Sequence, residues 1–142
     1  MHDLELMHDD HSLLSSQVVH VVTLVKSLEE GSHIAATHFS EVLRQMEILR
    51  QELLEHFAFE EEEAFPRLDG EYPTIRPQLE QLQAQHARVL AAFEALRSVL
   101  WTEAKESRVA ETSTSCDEFE SVFKLHAATE TALLRELATM TP

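Results

Sequence analysis

Apolar residues recur at intervals of three and four along most of the chain, which is the spacing of one face of an α-helix. The first such stripe consists of Leu14, Val18, Val21, Val25 and Leu28. Similar stripes run from Phe39 to Leu53, from Leu79 to Leu100 and from Phe119 to Leu137. The pattern predicts four helices, over residues 9–30, 32–65, 74–105 and from 109 or 115 to 139.

The connections between the predicted helices are short, and consecutive helices joined in this way pack antiparallel. We therefore predict an all-α fold, an antiparallel up-down-up-down four-helix bundle that forms one domain over residues 1–142. No strand-like alternation of polar and apolar residues competes with this pattern. Pro66 and the pair Asp69-Gly70 predict that the second helix ends near residue 65 and is followed by a turn.

The composition limits the kinds of molecule that the protein is expected to bind. The chain has 11 Lys and Arg against 26 Asp and Glu, a formal net charge of −15. Because phosphate contacts need Lys or Arg, this charge argues against binding to nucleic acid or to an anionic membrane. The first residues are acidic, unlike a signal peptide, and the most apolar stretch is too short to span a bilayer. The single cysteine, Cys116, suits a reducing compartment, so we expect a cytoplasmic protein whose protein partner is unknown.

Each apolar stripe is interrupted by histidine, and two stripes also by glutamate, where a further apolar residue is expected. The residues at these positions are His11, His56, Glu60, His86, His126 and Glu130. At least one comes from each predicted helix, and antiparallel packing brings all six to about one level near one end of the bundle. The order is repeated in the two halves of the chain, because a lone His precedes a His-x3-Glu pair in each.

This spacing favours a metal site. Residues four apart lie one turn apart on the same helix face, so the His and Glu of each pair can reach one ion or two neighbouring ions. An ionised Glu in a core costs several kcal/mol unless it is paired or binds a cation. Imidazole and carboxylate donors without cysteine suit Fe, Mn or Zn. The repeat of three donors in each half predicts a two-metal centre.

A second interpretation stays open at this point. The histidines could pair with Glu60 and Glu130 in a helical bundle that serves as an interaction module, with no metal or a purely structural one. Glu61, Glu63 and His8 lie close to the donors in sequence and are candidates for an additional ligand. No catalytic nucleophile with an adjacent base is found, and two glycines rule out a Gly-rich phosphate loop.

The ordered set of His and His-x3-Glu on four helices resembles the hemerythrin-like, or HHE cation-binding, domain family. The run His56-Phe57-Ala58-Phe59-Glu60, continued through Glu61-Glu62-Glu63-Ala64-Phe65-Pro66, is similar to the end of that family's second helix. The start, His8-Asp9-Asp10-His11, is similar to the beginning of its first helix. The likeness covers residues 4–139.

The resemblance implies a di-iron centre with an oxo or hydroxo bridge, for which Mn or Zn are alternatives. In this arrangement His11 and His56 ligate one metal, His86 and His126 ligate the other, and Glu60 and Glu130 bridge the two. Oxygen-carrying members have a further His on the third helix and an Asp five residues after the last His, whereas this chain has Leu82, Leu90 and Thr131 there. About two coordination positions are then left open.

The resemblance therefore implies a protein that binds or senses O2, NO or peroxide, or that handles iron. Weak peroxidase- or catalase-like turnover is compatible with open metal positions, but no motif commits the chain to being an enzyme.

Overall fold

The computed structural model describes residues 2–30, 36–106 and 109–140. The helices are α1 (His2–Glu30), α2 (Ala36–Phe59), α3 (Phe65–Glu71), α4 (Arg76–Glu106) and α5 (Val109–Met140). A π-helical segment, Glu60–Ala64, joins α2 to α3, and a 3-10 turn, Pro73–Ile75, precedes α4. The described residues contain no strand. Because α2, the π segment and α3 form one rod, the predicted four-helix bundle is confirmed.

Neighbouring rods run antiparallel, as predicted. In three interfaces, a later residue on one helix contacts an earlier residue on its neighbour. The pairs include His11–Glu130 and Lys26–Glu120 between α1 and α5, Arg97–Glu47 and Arg50–Glu94 between α2 and α4, and Gln85–Thr129 and Phe93–Phe119 between α4 and α5. Up-down-up-down connectivity follows from these contacts.

One predicted helix start differs from the structure, and another lies outside the described residues. Helix α1 begins at His2 rather than near residue 9, because fully buried Met7 extends its apolar face by another turn. The predicted start of the second helix at residue 32 lies outside the described residues. For the last helix, the structure selects the earlier of the two predicted starts, Val109.

The predicted end of the second helix near residue 65 is wrong, since the rod continues through Pro66 and Gly70 to Glu71. Proline is accepted here because Pro66 lies in the first turn of α3, directly after the wide π turn, where the missing amide forfeits no regular α-helical hydrogen bond. The chain turns instead at Tyr72, whose amide donates to the Leu68 carbonyl at 2.7 Å.

Two apolar clusters fill the bundle, separated by a polar layer. The larger contains Val25, Leu49, Phe93 and Phe119, and the smaller contains Met7, Phe65, Leu79 and Leu133. Each rod passes from one cluster to the other through the polar layer, whose members are His11, His56, Glu60, Gln85, His86, His126 and Glu130. Within the described part of the chain, every buried polar residue except Thr112 lies in this layer. Burial this concentrated marks one site rather than scattered polar residues.

Candidate metal centre

The six residues singled out from the sequence are all buried and meet in the polar layer. His11 and His56 keep 8% of their surface exposed, and the other four keep 0–1%. Their donor atoms form two triads, in each of which three ligand atoms lie within 4.8 Å of one another. The triads are His11, His56 and Glu130, and Glu60, His86 and His126. The sequence interpretation therefore placed these side chains together correctly, whereas their role as metal ligands stays a prediction.

Each glutamate lies between the two triads. Glu60 Oε1 is 2.9 Å from His86 Nε2 in its own triad and 3.3 Å from His56 Nε2 in the other. Glu130 Oε2 is 3.2 Å from His11 Nδ1 in its own triad and 3.4 Å from His126 Nε2 in the other. Both carboxylates thus contact one imidazole from each triad, which is the placement expected of groups that bridge two cations.

Two histidines, His86 and His126, are also held by side chains at their outer nitrogen, the ring nitrogen Nδ1 that faces away from the centre. His86 Nδ1 lies 3.0 Å from Glu61 Oε2, and an ionised carboxylate only accepts, so this nitrogen carries a proton. His126 Nδ1 donates to Gln85 Oε1 at 3.1 Å, and Gln85 Nε2 donates to Thr129 Oγ1 at 3.1 Å. With Nδ1 protonated, the Nε2 lone pair of each neutral ring faces the centre, which is the tautomer that binds a metal.

The residues fit a cation at the centre. The lone pair of His86 Nε2 faces a carboxylate oxygen at 2.9 Å, so either a second proton or a metal ion must lie between them. Within the described residues, Glu60 Oε2, His126 Nε2 and both Glu130 oxygens are buried without a hydrogen-bond partner of good geometry. No Lys or Arg among the described residues is buried to neutralise the two carboxylates. Metal ions would give these buried atoms a partner and would neutralise the two carboxylates.

The environment of Glu130 also favours its deprotonated carboxylate, the form that binds a metal ion. Burial raises the pKa of its carboxyl, but contacts with Glu60, His11 and His126 outweigh burial and hold that pKa below its ordinary value. A carboxylate binds a cation only when it is deprotonated. Glu130 is thus prepared for coordination.

The π segment places two consecutive glutamates on one imidazole. Glu60 and Glu61 contact opposite nitrogens of His86, and the wide π turn brings these adjacent side chains toward the same ring. Glu62 and Glu63 are exposed, so Glu63 adds no ligand. Glu61 touches the outer nitrogen rather than joining a triad. The side chain of His8, the other candidate, lies outside the described side chains.

Aromatic side chains enclose the His86 half of the centre. The Phe57 ring stacks on His86 at a centroid distance of 3.9 Å and an interplanar angle of 12°. Phe65 stacks more distantly on the same imidazole, at 5.7 Å and 17°. These rings orient the imidazole and exclude water from this side.

The His11 half borders a groove between α1 and α5. The groove has a volume of about 570 Å³ and is lined by small side chains, among them Ser12, Ser15 and Ala128, with Thr131 and Arg135 on the α5 side. His11 forms part of its lining. Gln85 and this groove were not anticipated from the sequence. The sequence feature that could have indicated Gln85 is its position directly before His86, on the part of the helix that faces the core.

The fold and the site define a helical-bundle protein with two buried His/Glu triads suited to two metal ions. The Hemerythrin HHE cation binding domain model matches residues 2–138, and the chain belongs to this family. The resemblance drawn from the sequence is thereby confirmed. Neither the curated proteins nor the solved structures give a match to the chain. Among the described helices, none combines the length and apolar character that a membrane span requires.

Proposed function

We propose that this protein holds two iron ions, one at each triad, and uses them to bind or sense O2, NO or peroxide. The observation that carries the proposal is the contact of each buried glutamate, Glu60 and Glu130, with one histidine from each triad. Two carboxylates in this position are suited to bridging two cations, with His11 and His56 on one and His86 and His126 on the other. Mn or Zn would suit the same donors.

The groove beside His11 supports the small-ligand part of the proposal. It reaches one triad from the surface, and its small side chains leave room for a diatomic molecule or peroxide to approach. In the other triad, Phe57 and Phe65 stack on the His86 ring. The iron ions would supply electron transfer to a bound ligand. The chain's own residues would hold the ions and keep the imidazoles in the binding tautomer.

Metal analysis tests the proposal directly. Protein reconstituted anaerobically with Fe(II) is expected to retain two iron ions per chain. Glu60→Gln and Glu130→Gln, which keep the side-chain volume but remove the charge, are expected to retain fewer. Glu62→Gln changes an exposed glutamate of the same π segment and is the matched control. A wild-type chain that retains no iron, or a Glu60→Gln variant that matches Glu62→Gln, would contradict the proposal and favour the metal-free interaction module.

Optical spectra identify the ligand. We expect a charge-transfer absorption in the near ultraviolet that appears when the iron-loaded protein is exposed to O2, NO or hydrogen peroxide. Consumption of peroxide measured in the same samples determines whether turnover accompanies binding. If none of the three ligands changes the spectrum, the small-ligand proposal is wrong, while iron stoichiometry still reports on the metal centre.

A further inference from the structure

The triad of Glu60, His86 and His126 is the more deeply buried of the two, and side chains outside the centre hold both of its imidazoles. In this triad, both histidines donate a hydrogen bond from the outer nitrogen to a side chain. The acceptor is Glu61 for His86 and Gln85 for His126. All three members of this triad are at most 1% exposed. Outer hydrogen bonds fix the ring orientation and raise the basicity of the inner nitrogen, so this triad is already arranged for metal binding.

The hydrogen bond from His126 continues outward through α5. Gln85 donates its amide to Thr129 Oγ1 at 3.1 Å, and the Thr129 hydroxyl donates to the Leu125 carbonyl at 2.8 Å. The amide of Gln85 is therefore anchored at both ends, which selects the orientation that presents Oε1 to His126. Each link joins a helix to its neighbour or to its own backbone, and such links limit the rotation of the imidazole.

The other triad faces the surface. His11 lines the groove between α1 and α5, and the described residues give its ring one polar contact, with Glu130. The groove is lined mainly by small side chains such as Ser12, Ser15 and Ala128, with Arg135 beside them, and His11 keeps 8% of its surface exposed. A ligand ring at the wall of an open groove gives water and competing chelators a route to the ion that it holds.

We infer that the two metal positions are unequal: the one bounded by Glu60, His86 and His126 fills first and exchanges slowly, whereas the one bounded by His11, His56 and Glu130 exchanges through the groove. Glu61 and Gln85 are positioning residues for the first. The inference rests on the proposed function, because it requires that both triads bind metal.

A Zn(II) titration with a competing chromophoric chelator tests the order of filling. The wild-type chain is expected to bind Zn(II) in two steps of different affinity. Glu61→Leu removes the acceptor for His86 and should weaken the tighter step by about 10- to 100-fold while leaving the weaker step unchanged. Glu61→Gln retains an acceptor oxygen and should restore most of this affinity. Glu62→Leu, at the exposed neighbouring position, is the control.

Gln85→Leu provides a second variant that is independent of the π segment. It should also weaken only the tighter step, since Gln85 contacts His126 and not His11. Melting temperatures of the metal-free variants, compared with that of Glu62→Leu, show whether each retains its fold. If Glu61 or Gln85 had a purely structural role, its replacement would lower the Zn(II) affinity of both steps together.

Exchange kinetics test the route. Ala128 is exposed and lines the groove, so Ala128→Phe should slow the loss of the weakly held Zn(II) to a chelator several-fold without changing the loss of the tightly held ion. Ala95→Phe places the same side chain at an exposed position of α4, outside the groove, and should change neither rate.

The outcomes separate the inference from the proposal beneath it. A chain that binds no Zn(II) and no Fe(II) overturns both. Two ions bound with equal affinity and equal exchange rates overturn the inference alone, and so does a Glu61→Leu variant that weakens the weaker step. Two unequal steps, with only the tighter one sensitive to Glu61 and Gln85, support it.

Discussion

Replacing His86 with leucine should remove most of the metal-dependent stability that one triad provides. The His86 ring is 1% exposed and lies between Phe57 and Phe65, so a leucine side chain finds apolar neighbours there. The substitution removes the nitrogen that faces Glu60 and leaves the other triad's donors in place. The fold should therefore survive, and the metal dependence of its stability should change.

The size of the effect follows from mass action. A ligand that binds only the folded chain at about 100 times its Kd adds about 2.7 kcal/mol to the free energy of unfolding, so two triads add roughly 5 kcal/mol. For a chain of this length, each kcal/mol raises the melting temperature by about 2–4 °C, which gives a total shift of roughly 10–20 °C. His86→Leu should show about half of that shift or less.

Thermal unfolding followed by circular dichroism, with and without saturating Zn(II), measures this shift. Each variant is compared with its own metal-free form, so the loss of aromatic stacking, about 0.5–1.5 kcal/mol, cancels. His20→Leu changes an exposed histidine of α1 and should keep the full shift. If Zn(II) raises the melting temperature of His86→Leu as much as that of the wild type, the assignment of His86 to the metal centre is wrong.

Other predictions address the core, the connection between the rods and pH. Phe93→Ala, at a fully buried position of the larger cluster, should cost about 3–5 kcal/mol in urea unfolding without changing the number of ions bound. Arg76 holds the pKa of Asp69 below its ordinary value of 3.8 through two hydrogen bonds of 3.0 Å, so the stabilisation is present above that value and is lost as pH falls through the folded-state pKa. Asp69→Asn should accordingly lower the melting temperature at neutral pH but not in acid, and equal effects at both would exclude this explanation. Zn(II) affinity, measured by chelator competition, should fall as pH is lowered because each histidine must be neutral to bind, and a pH-independent affinity would argue against imidazole ligands.

The helices and the six inward donors were predictable because a helix repeats its faces with a constant period. A histidine that replaces leucine in an apolar stripe must lie inside, as His86 does between Leu82 and Val89. The antiparallel order then follows from short connections. Local periodicity and chain direction are sufficient to bring the two triads together.

What could not be predicted depends on departures from that period. The four consecutive glutamates are chemically equivalent in the sequence, and only the π turn determines that Glu60 is buried while Glu61 reaches the outer nitrogen of His86. The same turn lets the helix continue through Pro66, a residue that ordinarily indicates its end. Gln85 was missed because its partner, His126, lies on another helix.

The π segment makes the length of the acidic run matter more than its composition. Deleting Glu62 would convert the wide π turn into an ordinary α turn and would leave the rod beyond it in nearly the same register relative to α2. Phe65 and Leu68 would keep their places, but Glu60 and Glu61 could no longer contact opposite nitrogens of the same His86 ring. Homologous chains should therefore vary freely in residue type at Glu62 and Glu63, whereas a chain one residue shorter between Glu60 and Phe65 should also lack the Glu61 contact with His86.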